Sequence, residues 1–164
     1  MQAYAIRRVR EADRSAVTGI FNYYVENSFA AYPDKKVGPE VFDLLKNMSR
    51  AGAFYVAETP DKEVVGFALL RHHQIAEAFK RAGEITYFIL PQHERRGIGA
   101  RFMETITIDA RAAGVETLLA NISSLNEVSL NFHLKHGFKE CGRFQRIGKK
   151  FDRDFDVIWM QKFL

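Results

Sequence analysis

The feature that most constrains the fold is a glycine-containing turn between a predicted strand and a predicted amphipathic helix. Residues 84–90 are rich in β-branched and aromatic side chains, which indicates a strand, and Pro91 ends it. After the turn, apolar residues recur every three or four positions. This spacing predicts a helix with one apolar stripe, formed by Phe102, Ile106, Ala110 and Ala113.

The turn itself, residues 94–100, has the sequence Glu-Arg-Arg-Gly-Ile-Gly-Ala. Its two glycines allow the backbone to approach a ligand closely, and the N-terminus of the following helix favours negative charge. Two adjacent arginines add positive charge. The pattern predicts an anion site, best suited to a phosphate or diphosphate, formed by Arg95, Arg96, Gly97, Ile98, Gly99 and Ala100.

Two common phosphate-binding motifs do not match this turn. A Walker loop requires Gly-Lys-Ser/Thr, which is missing, and a dinucleotide fingerprint requires a third glycine where Phe102 stands. The acidic residue at about the right distance, Glu116, opens the next predicted strand instead of ending it. From this stretch alone, an ordinary strand-to-helix turn without a ligand remains the alternative.

Length and composition limit the class of protein. A chain of 164 residues predicts a single domain, residues 1–164, and its 47% hydrophobic and 27% charged residues argue against disorder. No run of eighteen apolar residues is present, so no membrane span is predicted, and the first residues lead into a strand without a signal-peptide core. The single cysteine, Cys141, excludes an internal disulfide and fits a reducing cytoplasm.

The net charge of +4 is modest, and the basic residues are dispersed apart from Arg95-Arg96 and Lys149-Lys150. The usual interpretation of such charges is solvated surface, and an anionic cofactor is a better use for the first pair than nucleic acid. The histidines at 72, 73 and 93 have no ligand partner at metal-like spacing, so no metal site is predicted.

Hydrophobic periodicity and turn residues predict the element order β-α-α-β-β-β-α-β-α-β-β. The first predicted elements are strand 4–9, a helix after Asp13, and a helix opened by Gly38-Pro39 with Pro at its first position. A hairpin of 53–58 and 63–71, a polar loop 72–82 and strand 84–90 follow. The last elements are a helix closed by Gly114, strand 116–121, helix 125–136 stopped by Gly137, and strands 138–147 and 155–163 around a charged turn 148–154.

A second informative stretch covers residues 126–138. Asn126 begins a predicted helix, where its side chain can cap the helix and can also contact a ligand. The helix then carries Phe-His-Leu-Lys-His-Gly-Phe at residues 132–138.

These two stretches together resemble the GNAT superfamily of N-acetyltransferases. Its acyl-CoA turn, Gln/Arg-x-x-Gly-x-Gly/Ala, is met by Gly97 and Gly99, with Glu94 where Gln or Arg is usual. Its helix motif, Phe-Tyr-x-Lys-x-Gly-Phe, is met except at His133, where many members carry a tyrosine thought to protonate the leaving thiolate. The phosphinothricin acetyltransferase-like branch instead has Asn, Ser and His at the spacing of Asn126, Ser129 and His133.

Further segments resemble the same branch, so that the resemblance covers nearly the whole chain. They are residues 6–25, Pro91-Gln92-His93 and Asp156-Val157. The resemblance implies an α/β fold of the α+β type, with a mixed, mostly antiparallel sheet of about seven strands, splayed between the fourth and fifth, and about four flanking helices. The acyl-pantetheine arm would pair with the fourth strand at Phe88, Ile89 and Leu90.

The resemblance also implies residue roles. Glu84 would accept the proton of an attacking amine, directly or through water, and His133 would donate to the departing thiolate. Backbone N–H groups around residues 88–90 would polarise the thioester carbonyl, and Asn126 and Ser129 would contact the coenzyme. The plainer interpretations are a charged residue at a strand start, a partly buried helix histidine and a simple N-cap.

The predicted acceptor site departs from that of the herbicide-detoxifying members. These carry Arg and Tyr where Ala76 and Phe79 stand, and Phe155 replaces the His of a His-Asp-Val motif. Losing an arginine removes a group that would hold a carboxylate or phosphinate. Arg71, Lys80 or Arg81 could replace that cation, and the acceptor-binding residues are predicted to be Tyr32, Phe79 and Asp156.

The sequence therefore predicts an N-acetyltransferase that moves the acetyl group of acetyl-CoA to a primary amine of a small, amino-acid-like acceptor in a ternary complex. Acetyl-CoA would be a co-substrate, and no metal, nucleic acid or membrane partner is predicted. The resemblance suggests a homodimer. The alternatives are a non-catalytic CoA-binding or sensing module and a protein N-acetyltransferase. Only the net positive charge favours a nucleic-acid-binding domain.

Overall fold

The computed structural model describes residues 4–164, so residues 1–3 of the predicted N-terminal stretch lie outside the described residues. The described chain contains seven strands and four α-helices. The strands are β1 Ala5–Arg8, β2 Ser49–Glu58, β3 Val64–His72, β4 Ala82–Ile89, β5 Thr117–Ser123, β6 Lys139–Lys150 and β7 Arg153–Phe163. The helices are α1 Arg14–Asn27, α2 Val41–Met48, α3 Ile98–Ala112 and α4 Glu127–Lys135.

One sheet contains all seven strands in the order β1-β2-β3-β4-β5-β7-β6. Every neighbouring pair is antiparallel except β4 and β5. The predicted element order and the mixed, mostly antiparallel sheet are therefore confirmed.

The parallel pair β4–β5 separates after its first residues. The two strands are paired only at Ala82 with Thr117, Gly83 with Leu118 and Glu84 with Leu119. Beyond this point β4 continues to Ile89 and β5 to Ser123 without pairing with each other. The gap that results is the predicted splay between the fourth and fifth strands.

Helices cover both faces of the sheet, and each face has its own core. On one face α3 contributes Phe102, Met103 and Ile106, which pack with Leu118 and Ile158 of the sheet. On the other face, buried residues of α1 and α2 pack with buried residues of β2, β3 and β4. The helix residues are Val17, Ile20, Phe42 and Leu45, and the strand residues are Phe54, Phe67 and Phe88. Because successive residues of a strand point to opposite faces, β4 contributes to both cores and presents different side chains on each.

Three predicted boundaries were wrong. The second helix begins at Val41 and not at Pro39, because Gly38 and Pro39 form a preceding turn whose carbonyls accept from the next amides. Strand β2 begins at Ser49, four residues before the predicted start, and is interrupted where Ala51 and Gly52 adopt positive φ of 52° and 67°.

The third correction concerns the last hairpin. Strands β6 and β7 extend through most of the predicted charged turn, and the reversal occurs at Phe151 and Asp152, with φ of 50° and 56°. Lys150, expected to be solvated, is buried, and its Nζ donates to the carbonyls of Ser28 and Ala31, each at 2.7 Å. This lysine therefore ties the hairpin to the segment after α1.

Helix ends follow the glycine predictions. Gly114 and Gly137, just after α3 and α4, have φ of 75° and 87°, which is the left-handed conformation of a C′ residue. Asp13 precedes α1 as predicted, but its carboxylate does not cap that helix. It accepts from the Arg7 guanidinium at 2.8 and 2.9 Å and from the Arg10 amide at 2.7 Å.

Within the described residues, no helix combines the length and the apolar character needed to cross a membrane.

Candidate active site

The predicted anion site is a turn whose backbone conformation depends on Gly97. This residue immediately precedes α3 with φ of 83°, and a Cβ atom built on it would meet nothing within 4 Å. Conformation, and not space, therefore requires a glycine at this position. Gly99 has another use, because a Cβ there would lie 3.1 Å from the Phe132 ring of α4. The second glycine allows α3 and α4 to pack closely.

Glu94 stands where the family pattern has Gln or Arg, and its carboxylate accepts a hydrogen bond from α1. The hydroxyl of Tyr24 on α1 donates to Glu94 Oε1 at 3.0 Å and also contacts the carbonyl of Ile89. Burial, with the neighbouring carboxylate, raises the pKa of Tyr24. The turn is thus fastened to α1 and to the end of β4.

The turn has the chemistry of an anion site. Arg95, Arg96, Gly97 and Ala100 are exposed, and the first amides of α3 have no carbonyl of a preceding helical turn to bond. A helix N-terminus with exposed cationic side chains fits a phosphate or diphosphate.

Strand β4 directs alternate amides into the splay. Leu90 donates its N–H to the Val65 carbonyl on β3, and the register places Phe88 opposite Phe67 and Ile89 opposite Gly66. Because alternate residues of an antiparallel pair bond to the neighbour, the amide of Phe88 also faces β3, whereas that of Ile89 faces the gap. Of the three residues predicted to pair with a pantetheine arm, the amide direction favours Ile89.

A cavity of about 360 Å³ passes through the gap between β4 and β5. One wall is formed by residues 85–88 of β4 and the opposite wall by residues 120–123 of β5. The site residues that line it from other elements are Tyr32, Arg71, Asn126, Ser129 and His133. The cavity thus connects the face of the sheet that carries α4 with the face that carries α1 and α2.

Asn126 caps α4 as predicted, with its Oδ1 accepting from the Ser129 amide at 3.2 Å. Both residues also line the cavity, so capping and ligand contact are compatible at this helix end.

His133 is 2% exposed and lies against Tyr87, with the two rings stacked at 5.5 Å between centroids. Burial lowers its pKa to about 4, so the ring is neutral at pH 7. Its Nδ1 lies 2.7 Å from the Ser129 carbonyl, to which it donates, and the Tyr87 hydroxyl therefore donates to Nε2 at 2.8 Å. Its role as donor to the thiolate stays a prediction. Sequence reasoning did not identify Tyr87 as part of this group.

Glu84 is the centre of a hydrogen-bonded network on the α1–α2 face of the sheet. The carboxylate is buried, with 6% of the residue exposed. Its Oε2 accepts from Arg71 Nη2 at 2.5 Å and from Asn121 Nδ2 at 3.3 Å, and its Oε1 accepts from His73 Nδ1 at 2.8 Å. The strand register creates this group, since Arg71 is the cross-strand partner of Glu84.

The three candidate replacement cations lie in different surroundings. Arg71 lines the cavity, and its Nε is buried with no hydrogen-bond partner among residues 4–164. Lys80 and Arg81 instead form surface ion pairs with Glu77 and Glu116. Of the three, Arg71 is therefore the cation that lines the cavity.

Two of the predicted acceptor-binding residues lie near this network. Tyr32 stacks on Phe155, and its hydroxyl donates to Asn121 Oδ1 at 3.2 Å. Burial raises the pKa of Tyr32 to about 12. Phe79 is 41% exposed and meets the His73 ring edge-on.

Asp156, the third predicted acceptor-binding residue, faces elsewhere. Its carboxylate accepts from the Arg143 guanidinium at 3.0 Å and from the Arg146 amide at 2.8 Å, both on β6. In this structure the side chain therefore braces the β6–β7 hairpin.

Comparison with known protein families identifies the family of this chain. The model of the acetyltransferase (GNAT) family matches residues 17–138, which include the turn, β4 and α4. The chain belongs to the GNAT acetyltransferase family.

Relatives of this GNAT acetyltransferase place it in the phosphinothricin acetyltransferase-like branch, as predicted. It is 27% identical to an L-amino acid N-acyltransferase of Escherichia coli (strain K12), over 96% of this chain and 92% of that protein. It is also 27% identical to a phosphinothricin N-acetyltransferase of Alcaligenes faecalis, over 98% of this chain and 82% of that protein. The predicted enzyme class, an N-acetyltransferase, is confirmed.

Solved structures of GNAT enzymes share the fold. A ribosomal-protein-alanine N-acetyltransferase from Brucella melitensis superposes with a TM-score of 0.88 at 33% identity, covering 98% of this chain and 99% of that one. A putative acetyltransferase from Salmonella typhimurium, solved with its cofactor acetyl-CoA, has a TM-score of 0.87 at 26% identity and covers 99% and 94% of the two chains.

Proposed function

We propose that this chain acts as a single catalytic domain that transfers the acetyl group of acetyl-CoA to the primary amine of a small, amino-acid-like acceptor. The observation that carries the proposal is the cavity through the β4–β5 gap, lined by Asn126, Ser129 and His133 on one side and by Arg71, the partner of Glu84, on the other. A cavity lined from both faces would allow the two substrates to meet directly, in a ternary complex.

The coenzyme would lie along β4 and over the N-terminus of α3, where it supplies an activated acetyl thioester. Residues 95–100 would hold the diphosphate through backbone amides and the two arginines. The Ile89 amide, which faces the gap, would donate to the thioester carbonyl oxygen as negative charge develops on it. Asn126 and Ser129 would contact the coenzyme from α4. The structure of the Salmonella typhimurium relative with acetyl-CoA supports this choice of cofactor.

The acceptor would enter from the α1–α2 face. Arg71 would pair with its carboxylate, because a guanidinium with a buried, unpartnered N–H is suited to a planar anion. Tyr32 and Phe79 would line this side. An amine is mostly protonated at neutral pH and must lose a proton to attack, and the Glu84 network provides proton-accepting groups on this face. The names of the Escherichia coli and Alcaligenes faecalis relatives support an amino-acid-like acceptor.

For the leaving group, His133 and Tyr87 form one hydrogen-bonded unit on the cavity wall. We assign this pair to the departing thiolate, with His133 as the residue that the family motif implies and Tyr87 as its hydrogen-bonded neighbour. The homodimer and the cytoplasmic location implied by the resemblance stay predictions.

A second candidate function is acetylation of a protein N-terminus. The similarity to the Brucella melitensis ribosomal-protein-alanine N-acetyltransferase favours it. The two acceptor classes differ at the group that Arg71 would bind, because a free amino acid carries a carboxylate beside its amine and the first residue of a protein does not. A free α-carboxylate would therefore be required only by the first class.

The test is a free-thiol assay with acetyl-CoA and a panel of amino acids, their sulfone and sulfoximine analogues, polyamines, and peptides that begin with alanine. We expect thiol release with amino-acid-like acceptors and a large loss when the α-carboxylate is converted to an amide. Faster turnover of the peptides would favour the second candidate. Binding of CoA in a calorimetric titration with no thiol release for any amine would leave a coenzyme-binding or sensing module.

A further inference from the structure

His73 forms a carboxylate–imidazole pair with Glu84 at the end of β3. Its Nδ1 lies 2.8 Å from Glu84 Oε1, and its side chain is 25% exposed, against 8% for the glutamate side chain. The imidazole meets Phe79 edge-on at 6.0 Å between centroids and Trp159 edge-on at 5.9 Å. These aromatic rings fix the plane of the imidazole on the acceptor face of the sheet.

Both oxygens of Glu84 are already occupied. Oε1 accepts from His73, and Oε2 accepts from Arg71 at 2.5 Å and from Asn121 at 3.3 Å. The carboxylate is also buried, with 8% of its side chain exposed, which leaves little access for an amine. The carboxylate is therefore better placed to orient a neighbour than to meet the substrate.

The pairing also fixes the tautomer of His73. An ionised carboxylate only accepts hydrogen bonds, so Nδ1 carries the proton and Nε2 carries a lone pair. The same arrangement, with a carboxylate holding Nδ1–H so that Nε2 can act, is found in the Ser-His-Asp triad, where the histidine serves as a general base.

We propose that His73 is the proton acceptor of the reaction, with Glu84 as the positioning residue that holds it. His73 Nε2 takes a proton from the acceptor's ammonium group, and the freed nitrogen lone pair forms the N–C bond. The C–S bond then breaks, its electron pair leaves with the sulfur, and the second proton lost by the nitrogen passes to the thiolate. The imidazolium, stabilised by Glu84, returns its proton to solvent. This inference rests on the proposed acetyl transfer to an amine.

The surroundings of His73 set its expected pH dependence. The groups that face it are Glu84 from β4, Arg71 on β3 through that carboxylate, Phe79 from the following loop and Trp159 from β7. Because a base must be unprotonated to act, activity should fall as the pH is lowered.

The experiment compares His73→Ala and His73→Gln with wild type, and with His72→Ala as the matched control. His72 is the exposed neighbour on β3, and no part of the proposed machinery includes it. For the His73 variants we expect kcat/KM for the amine to fall by at least ~100-fold, with KM for acetyl-CoA unchanged. The acidic limb of the pH profile should disappear, and added imidazole should restore turnover to His73→Ala but not to Glu84→Gln.

Three results separate the possible failures. A His73→Ala enzyme that keeps turnover within a few-fold of wild type, with the same acidic limb, would overturn the inference and return the role to Glu84 or water. Absence of thiol release by wild type itself would remove the proposed function and this inference with it. If the variants fail to fold, the titration of His73 in wild type, followed by NMR, must match the pKa of the acidic limb, and a mismatch would also overturn it.

Discussion

Arg71 and Glu84 face each other across β3 and β4, with Nη2 of the arginine 2.5 Å from Oε2 of the carboxylate. The arginine has a second feature, because its Nε is buried and has no hydrogen-bond partner among the described residues. A buried donor without an acceptor costs about 1–3 kcal/mol, and an anionic group of the acceptor would relieve that cost. Arg71 would therefore bind both the Glu84 carboxylate and the carboxylate expected on the acceptor.

Replacing Arg71 should weaken acceptor binding selectively. For Arg71→Gln we expect kcat/KM for an amino acid acceptor to fall by about 10- to 100-fold, since a hydrogen bond to a charged group contributes about 1.5–3 kcal/mol. Arg71→Lys, which keeps the charge but not the planar fork, should recover only part of the loss. Steady-state kinetics with both substrates varied checks this. An unchanged KM for the acceptor in Arg71→Gln would show that the carboxylate is bound elsewhere.

His133 should make the stability of the fold depend on pH. Its folded pKa of about 4 lies below the ordinary value of 6.5, so between these values the unfolded chain binds a proton that the folded chain does not. Stability from this group is complete above pH 6.5 and is lost as the pH falls toward 4. At pH 5 the loss relative to pH 7 is on the order of 2 kcal/mol. Urea unfolding at the two pH values measures it.

The control for that measurement is His133→Gln, whose side chain does not titrate. The difference in unfolding free energy between pH 7 and pH 5 should be smaller in the variant by about the same 2 kcal/mol. Equal differences in the two proteins would mean that His133 is not buried as a neutral ring.

Tyr87 and His133 should behave as one unit in catalysis. The Tyr87 hydroxyl lies 2.8 Å from His133 Nε2, and both residues line the cavity. We expect Tyr87→Phe and His133→Gln each to lower kcat by about 10-fold or more, and the double variant to be no slower than the slower single one. Effects that multiply in the double variant would instead indicate independent roles.

Gly97 offers a test of the turn that separates binding from stability. Gly97 and Gly114 lie at opposite ends of α3, have φ of 83° and 75°, and leave room for a Cβ. Alanine at either position should cost about 1 kcal/mol of stability, because both are left-handed. Only Gly97→Ala should also raise the Kd for acetyl-CoA, since only that turn is assigned to the diphosphate. Similar coenzyme affinities for the two variants would contradict the assignment.

Features that depend on one residue in one local conformation were predictable from the sequence. Gly97, Gly114 and Gly137 all have positive φ at helix ends, and Asn126 caps α4. In each case the backbone requirement is local, so residue type and spacing were sufficient to place the feature.

The network around Glu84 could not be predicted, because strand register assembles it. Arg71 and Asn121 lie 13 and 37 positions from Glu84 in the sequence. No spacing rule distinguished Arg71 from Lys80 and Arg81 as the cation that pairs with Glu84. The register of the β3–β4 pair would have done so, but the intervening loop left that register undetermined.

The end of the chain shows the opposite error, in which a local pattern was misleading. Residues 148–154 carry the charge expected of a solvated turn, but Lys150 is buried because carbonyls of Ser28 and Ala31 accept from its Nζ. Those acceptors come from a segment more than a hundred positions away, so the sequence around Lys150 gave no sign of them.

The most direct test of the account is a crystal structure of the protein soaked with acetyl-CoA. We expect the diphosphate to lie against the amides of residues 96–100, and the thioester carbonyl to lie within hydrogen-bond distance of the Ile89 amide in the gap between β4 and β5. A coenzyme bound on another surface, or a gap filled by side chains with the thioester outside it, would contradict the account.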